Sequence, residues 1–326
     1  MDWYEAVGRR AFFALEPETS HNVAQRLLGL PLPWPRIGGV PSDLDLGTAL
    51  ADVPLRVPIG LAAGFDKTCA HLDALGRLGF GYVVGGTVTR AARQGNPRPR
   101  IVRDPDRAAL VNAMGLPNHG AAAAARTLAR GRRTCPRFVS LADEALDDVL
   151  ASLALVEPHV DGLELNASCP NVAWGRDTDT ETHLRALVEA IEARTTKPVF
   201  VKLPPYDDRP GRDAVLALAG VAVEAGAEGL TCGNTRPVEE PRLSVGRGGL
   251  SGGPLGERTA ACVREVVEAT GLPVNACGGI ATAEAAALCL EAGATTVQVY
   301  TAMIYRGPGI VGQIARGLAT RMRTVS

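Results

Sequence analysis

The chain has 326 residues, 46% hydrophobic and 21% charged, with a formal net charge of −1. This is an ordinary globular composition, with room for one large α/β domain or two smaller ones. Near-neutrality and an aromatic content of 4% remove both the electrostatic and the base-stacking grounds for a nucleic-acid partner. Seven cysteines (Cys69, Cys135, Cys169, Cys232, Cys262, Cys277, Cys289) are odd in number and form no C-x-x-C pair, so neither a disulfide framework nor a structural metal site is expected. The N-terminal "MDWYEAVGRR" lacks the apolar core of a signal peptide, and no apolar run approaches the length of a membrane span. A reducing cytoplasm is the expected location.

In chain order, "WYEAVGRRAFFALEPETSHNVAQRLLGL" reads as two short amphipathic helices, with Trp3, Tyr4, Phe12, Phe13, Leu15, Leu27 and Leu28 at the apolar positions. "PLPWP" (31–35) then links to the rest of the chain. Residues 1–45 are expected to form a separate helical module, and 46–326 one barrel. The module is either a cap across one end of that barrel or a membrane-surface element with Arg9, Arg10 and Arg26 toward headgroups.

From residue 57 short apolar runs alternate with helical patterns. The expected strands are "VPIGLAAG" (57–64), "YVVGGTV" (82–88), "RFVSLA" (137–142), "GLELNAS" (162–168), "PVFVKLP" (198–204), "GLTCGNT" (229–235), "PVNACGGI" (273–280) and "TVQVYTA" (296–302). Between them lie patterns such as "AHLDALGRLG", "ETHLRALVEAIEAR", "DAVLALAGVAVEAG", "ERTAACVREVVEAT" and "TAEAAALCLEAG", several ending at glycine. Eight strand–helix units of this kind predict a closed (β/α)8 TIM barrel. No G-x-G-x-x-G follows the first strand, so an open dinucleotide-binding sheet lacks its fingerprint.

A TIM barrel builds its active face from the loops after its strands. The chemistry-bearing residues fall there: Lys67 after strand one, Thr87 ending strand two, Asn166 to Asn171 after strand four, and Lys202 on strand five. Asn234 and Thr235 end strand six, "CGGI" (277–280) strand seven and "VYTA" (299–302) strand eight. "GGI", "YT" and the glycine-rich "GGLSGGPL" (248–255) converge where such barrels bind phosphate, which predicts a phosphorylated ligand. Lys202 points inward from an apolar strand, so it pairs with a carboxylate, Glu164 being available on strand four, or faces an electron-rich ligand. Asn112, Asn166, Asn171 and Asn234 could each make a local turn; together on one rim they suit a small, amide-rich ring. Cys169 alone among the cysteines is flanked by polar residues at this face. The others are expected on helices or within strands as small hydrophobes, and no histidine lies at a strand end to partner a Cys nucleophile.

These residues resemble the dihydroorotate dehydrogenase family, flavin mononucleotide (FMN) enzymes on a (β/α)8 barrel, over nearly the whole chain. "PIGLAAGFDK", "GFGYVVGGTVT", "GNPRPR", "GGLSGGPL", "VQVYTAMIYRGP" and the N-terminal "RRAFFALEPETSH" resemble the membrane-associated, quinone-using class. "NAMGLPN", "ELNASCPNV" and "VKLPPY" resemble the soluble class instead, and so does Cys169, where the membrane class has serine as base. Two stretches depart from the family. Strand three reads "RFVSLADE", with Ser140 in place of an asparagine and Asp143 and Glu144 unlike the family, and "AWGRDTDTET" replaces a Gly-Leu-Arg run.

The resemblance implies oxidation of dihydroorotate to orotate in pyrimidine biosynthesis, with Cys169 as catalytic base. It assigns substrate contacts to Lys67, Asn112, Asn166, Asn171, Asn234 and Thr235. It assigns flavin contacts to Ala62, Ala63, Gly64, Thr87, Asn166, Lys202, Gly252, Gly278, Gly279, Tyr300 and Thr301. A quinone is the implied electron acceptor, through peripheral membrane contact by residues 1–45, with fumarate or another small acceptor as the alternative suggested by the cysteine. A paralogue acting on another dihydropyrimidine, and a non-redox phosphate-binding barrel, stay open at this point. The sequence does not reveal an oligomeric state.

Overall fold

A computed structural model describes residues 4–166 and 180–325. All eight expected strands form and close into one parallel barrel: Ile59–Leu61, Tyr82–Val88, Arg137–Leu141, Gly162–Leu165, Val199–Leu203, Gly229–Cys232, Val274–Cys277 and Thr296–Val299. They pair in chain order, and strand eight returns to strand one with Val297 opposite Ile59. Side chains alternate across the wall. Ile59, Leu61, Val83, Val139, Leu163 and Val201 turn outward into the main apolar core beneath the helices, whereas Tyr82, Val84, Phe138 and Phe200 turn inward.

Strand eight is shorter than expected. Its ladder ends with Val299 opposite Leu61, the last residue of strand one, and the chain turns helical at Thr301. Helices at Ala121–Arg130, Leu146–Val156, Thr301–Arg306 and Ile310–Val325 complete the outer ring and were not among the patterns read from sequence.

The lower end of the barrel is sealed by an aromatic plug. Tyr82, Phe138 and Phe200 meet edge to face, with ring centroids 5.5 Å and 5.9 Å apart, and a hairpin of Thr48–Leu50 and Val53–Leu55 adds Leu50 and Leu55 from below. Each ring lies over a glycine of a neighbouring strand. A Cβ at Gly60 would stand 2.3 Å from the Tyr82 ring, and one at Gly162 or Gly229 would stand 2.1 Å from Phe138 or Phe200.

The upper end is roofed by a four-stranded antiparallel sheet that sequence reading missed. It is built from the loops after strands two and six, in the order Arg236–Glu239, Arg247–Gly252, Ala109–Asn112, Ile101–Asp104. The N-terminal helices lie against this roof. Pro17–Leu28 starts with proline where no N–H is needed, and Glu16 caps it by accepting from the Thr19 amide at 2.8 Å. "PLPWP" is more than a linker: a helical turn starts at Trp34, with Pro35 tolerated in its first turn and the Trp34 ring buried in the barrel core.

Adding a methyl group beneath an aromatic ring of the plug overpacks a filled site. Gly162→Ala should therefore destabilise the protein by about 1–3 kcal/mol, read as a lower denaturant midpoint at unchanged slope. An unchanged midpoint would contradict the plug.

Candidate active site

Between roof, barrel and N-terminal helices lies a cavity of about 1330 Å³, larger than the 300–1,000 Å³ or so of common ligand pockets. Ala62, Ala63, Gly64, Lys67, Thr87, Asn112, Asn166, Lys202, Asn234, Thr235, Gly252, Gly278, Gly279, Tyr300 and Thr301 all line it. Cys169 and Asn171 lie outside the described residues.

One end of the cavity is glycine-rich backbone. Gly252, at φ +94°, and Gly279, at φ +68°, adopt a region that glycine occupies without strain. Side chains there would also strike backbone, 2.3 Å from the Ala108 carbonyl oxygen and 2.2 Å from the Gly256 amide nitrogen. Thr301 Oγ1 donates to Ser251 Oγ at 3.0 Å and Thr259 Oγ1 to the Gly278 carbonyl at 2.8 Å, tying the loops after strands six, seven and eight together. The Gly256–Thr270 helix begins here, and first-turn amides have no partner within a helix. Such a cradle fits a phosphate.

The middle of the cavity is polar. Asn166 Nδ2 donates to Thr87 Oγ1 at 3.2 Å, and Thr87 shares a hydrogen bond with Ser140 Oγ at 3.0 Å. Ser140 thus orients the strand-two hydroxyl that holds Asn166. Lys67 is no solvated loop lysine: its Nζ donates to the Gly64 carbonyl at 2.6 Å, which also accepts from Tyr300 Oη at 3.1 Å. Asn112 Nδ2 donates to the Gly249 carbonyl at 3.4 Å across the roof, and Asn234 Oδ1 accepts from the Thr235 amide at 2.8 Å. Asp143, one of the unusual acidic residues, accepts from Arg93 at 2.6 Å and from the Arg90 amide at 2.7 Å. It anchors the start of the loop that leads into the roof.

The floor carries a buried ion pair. Lys202 Nζ lies 3.4 Å from Glu164 Oε1, and both side chains are almost fully buried. Burial, the largest single influence, pushes the ammonium toward neutrality, but the charge and hydrogen bond of Glu164, together with Cys277, outweigh it and hold the Lys202 pKa above its ordinary value. Beside them Gln298 is 2% exposed, lines the cavity, and has no hydrogen-bond partner at either end of its amide among the described residues. A fully buried carboxamide in that state loses its water without replacement, so the floor presents open donors and acceptors to a polar ring above it. Cradle and floor together fit a group with a phosphate at one end and a flat heterocycle at the other.

The N-terminal helices form the third wall, where Tyr4, Phe12, Phe13, Leu27, Leu28 and Leu32 face the cavity. Several polar contacts seat them, among them Tyr4 Oη donating to the Ile304 carbonyl at 2.9 Å. Arg103 donates to the Leu15 carbonyl at 2.7 Å and stacks over the Phe13 ring at 4.5 Å. Glu18 pairs with Arg98 at 2.9 Å and Arg100 at 2.6 Å. Burial opposes Glu18 ionisation, yet the two guanidinium groups prevail and lower its pKa. Gln25 Nε2 donates to the Phe65 carbonyl at 2.8 Å beside His21, whose ring meets Phe65 edge-on at 5.4 Å. Burial, with Lys67 nearby, drives the His21 pKa down to about 3.

Sequence reading passed over His21 and Gln298, although they lie within "RRAFFALEPETSH" and "VQVYTAMIYRGP", and over Arg103, which sits in no motif. Gln298 left a further signal, as a polar residue at an inward position of an otherwise apolar strand. The cysteines need correcting. Cys69 and Cys135 lie in loops, not on helices or strands, and Cys277 lines the cavity. Burial raises the Cys277 pKa although Lys202 opposes it.

The model of the family described as dihydroorotate dehydrogenase matches residues 45–322. Among curated proteins, one from Sphingopyxis alaskensis named dihydroorotate dehydrogenase (quinone) is 36% identical over 97% of this chain and 92% of its own. One of the same name from Mycobacterium marinum is 38% identical over 96% and 92%. Among solved structures, the ligand-free DHODH of Eimeria tenella superposes with a TM-score of 0.83 at 28% identity, covering 95% of this chain and 96% of that one.

Acid should loosen the third wall. His21 is neutral when buried and free to protonate once the helix lifts. Its contribution is complete above its ordinary pKa of about 6.5 and declines as pH falls from there toward 3. Glu18, with a depressed pKa, contributes above the ordinary carboxylate range, and that contribution is lost as pH falls through its folded value. Hydrogen-exchange protection of residues 17–28, corrected for intrinsic rates, should fall up to about thirtyfold between pH 7.5 and 5. His21→Gln should flatten that limb; an equally steep loss in the variant would refute the assignment.

Proposed function

Because the chain belongs to the dihydroorotate dehydrogenase family, we propose that it oxidises (S)-dihydroorotate to orotate on bound FMN, with Cys169 as the base and a quinone as electron acceptor. Members of this family are flavin enzymes in general. The observation that carries the proposal is one continuous cavity that joins a phosphate-fitting cradle, an asparagine-lined middle and an apolar wall of N-terminal helices. When bound, the flavin supplies the two-electron acceptor for the substrate's hydride.

The residues of the chain do the rest. Lys67, Asn112, Asn166, Asn171 and Asn234, with Thr235 beside them, hold the substrate ring and its carboxylate, so the reaction path is set by positioning. Cys169, just past strand four, takes the proton from C5 while hydride leaves C6. A thiol with an ordinary pKa of about 8.5 serves as such a base near neutral pH when positive charge and hydrogen bonds lower it. The ammonium of Lys202 offsets negative charge gained by the cofactor on reduction. The backbone at Ala62, Ala63, Gly64, Gly252, Gly278 and Gly279, with Thr87, Tyr300 and Thr301, seats the cofactor.

Residues 1–45 handle the second substrate. Their inner face supplies the apolar wall, and Val7, Leu15 and Leu30 are exposed without lining the cavity. Among the described residues no helix is long and apolar enough to cross a membrane. These side chains instead suit peripheral contact with a bilayer that holds the quinone, on its cytoplasmic face. The cysteine and the soluble-class central motifs favour a second reading, with fumarate as acceptor.

The purified protein should be yellow and should bleach anaerobically with dihydroorotate; a colourless protein, or a yellow one that ignores this substrate, would defeat the proposal. Cys169→Ala should keep its flavin but slow single-turnover reduction by about 10²–10⁴-fold. After photoreduction the wild-type protein should be reoxidised faster by a short-chain quinone than by fumarate. The reverse order selects the second reading.

A further inference from the structure

The hydrogen bonds inside the barrel run in one direction. Thr296 Oγ1 donates to Asn275 Oδ1 at 2.6 Å, so its own oxygen accepts from Tyr82 Oη at 2.8 Å. Asn275 Nδ2 donates to Thr231 Oγ1 at 3.3 Å, and Thr231 in turn donates to Glu164 Oε2 at 3.0 Å. Lys202 closes the chain on the other oxygen, Oε1. Five strands thus contribute donors that end on one carboxylate, which only accepts. An acceptor-only carboxyl group is an ionised one.

We propose that Glu164 is a positioning residue for the redox step: as the anionic end of this donor chain, it fixes Lys202 in its charged form beneath the flavin, whichever oxidation state the flavin is in. The inference rests on the reading that a flavin binds above Lys202. The titratable groups facing Glu164 among the described residues are Lys202 from strand five, Cys277 from strand seven and Tyr82 from strand two. Burial raises the pKa of both the thiol and the phenol, which leaves Glu164 as the main counter-charge to Lys202 and Cys277 as the lesser one. A buried lysine without a counter-ion sheds its proton readily. Without Glu164, Lys202 would be neutral beside oxidised flavin and would take a proton from solvent when two electrons arrive and the ring gains negative charge. With Glu164, no such proton is exchanged.

The test is the pH dependence of the bound flavin's reduction potential. Glu164→Gln should add one proton per two electrons over the range where Lys202 titrates, steepening the slope by about 30 mV per pH unit relative to wild type. The additional slope should vanish in Lys202→Met/Glu164→Gln, which removes both charges and so leaves neither buried alone. Glu164→Asp, which keeps the charge but withdraws it by one methylene, should fall between wild type and Glu164→Gln; it carries the test if the glutamine variant does not fold. Flavin-loaded variants with slopes parallel to wild type would overturn the inference alone. A wild-type protein that binds no flavin would overturn the reading beneath it as well.

Discussion

An ammonium group inside a closed barrel is the constraint to which the rest of the interior answers. Lys202 is almost fully buried, and an unpaired buried charge destabilises a fold by about 3–5 kcal/mol. Its partner Glu164 brings the same difficulty with opposite sign. The solution extends well beyond the pair, because a carboxylate has more than one lone pair to satisfy. Thr231 takes the second oxygen, Asn275 supports Thr231, and Thr296 and Tyr82 support Asn275. The middle of this barrel is therefore polar by necessity, although barrels of this class are commonly filled with branched apolar side chains.

That polar layer needs a dry, rigid base, which the plug supplies. Three aromatic rings meet edge to face with glycines under them, and a hairpin closes the lower mouth. Water entering from below would compete for each link of the donor chain and weaken it. Tyr82 belongs to both layers, its ring in the plug and its hydroxyl at the start of the chain. Stability is concentrated at the bottom of the barrel and ligand chemistry at the top, with the ion pair between them.

The barrel was legible in the sequence because each strand carries its own signal, a short apolar run ended by glycine or a small polar residue. The lining of the cavity was legible for a related reason: strand ends are where a TIM barrel places function. Other features were hidden because their meaning is non-local. "IVRD" and "RPVE" are too short to identify themselves as strands, and they become a sheet only when the loops after strands two and six meet. Glu164 and Lys202 were visible as a potential pair. The donor chain behind them joins strands far apart in sequence, so no local window contains it. Asp143 looked anomalous beside the family and turns out to anchor the loop that starts at Arg90. His21 lay at the end of "RRAFFALEPETSH", but only packing against Phe65 makes it a cavity residue.

The N-terminal helices follow a different logic from the barrel beneath them. Their seating relies on Glu18 with two arginines, Arg103 on helix-end carbonyls, and one glutamine reaching a loop. Polar contacts of this kind are strong when formed but short-ranged, and they contribute less when water enters. Leu28 and Trp34 are the exceptions, reaching into the apolar core under the outer helices. The aromatic face these helices present inward is complementary to an apolar molecule, while Lys202 and Gln298 on the floor are suited to a polar ring. Two ligands of opposite polarity can then meet within one cavity, each against the surface that desolvates it at least penalty, and the boundary between them falls near Tyr300, whose hydroxyl and ring serve one side each.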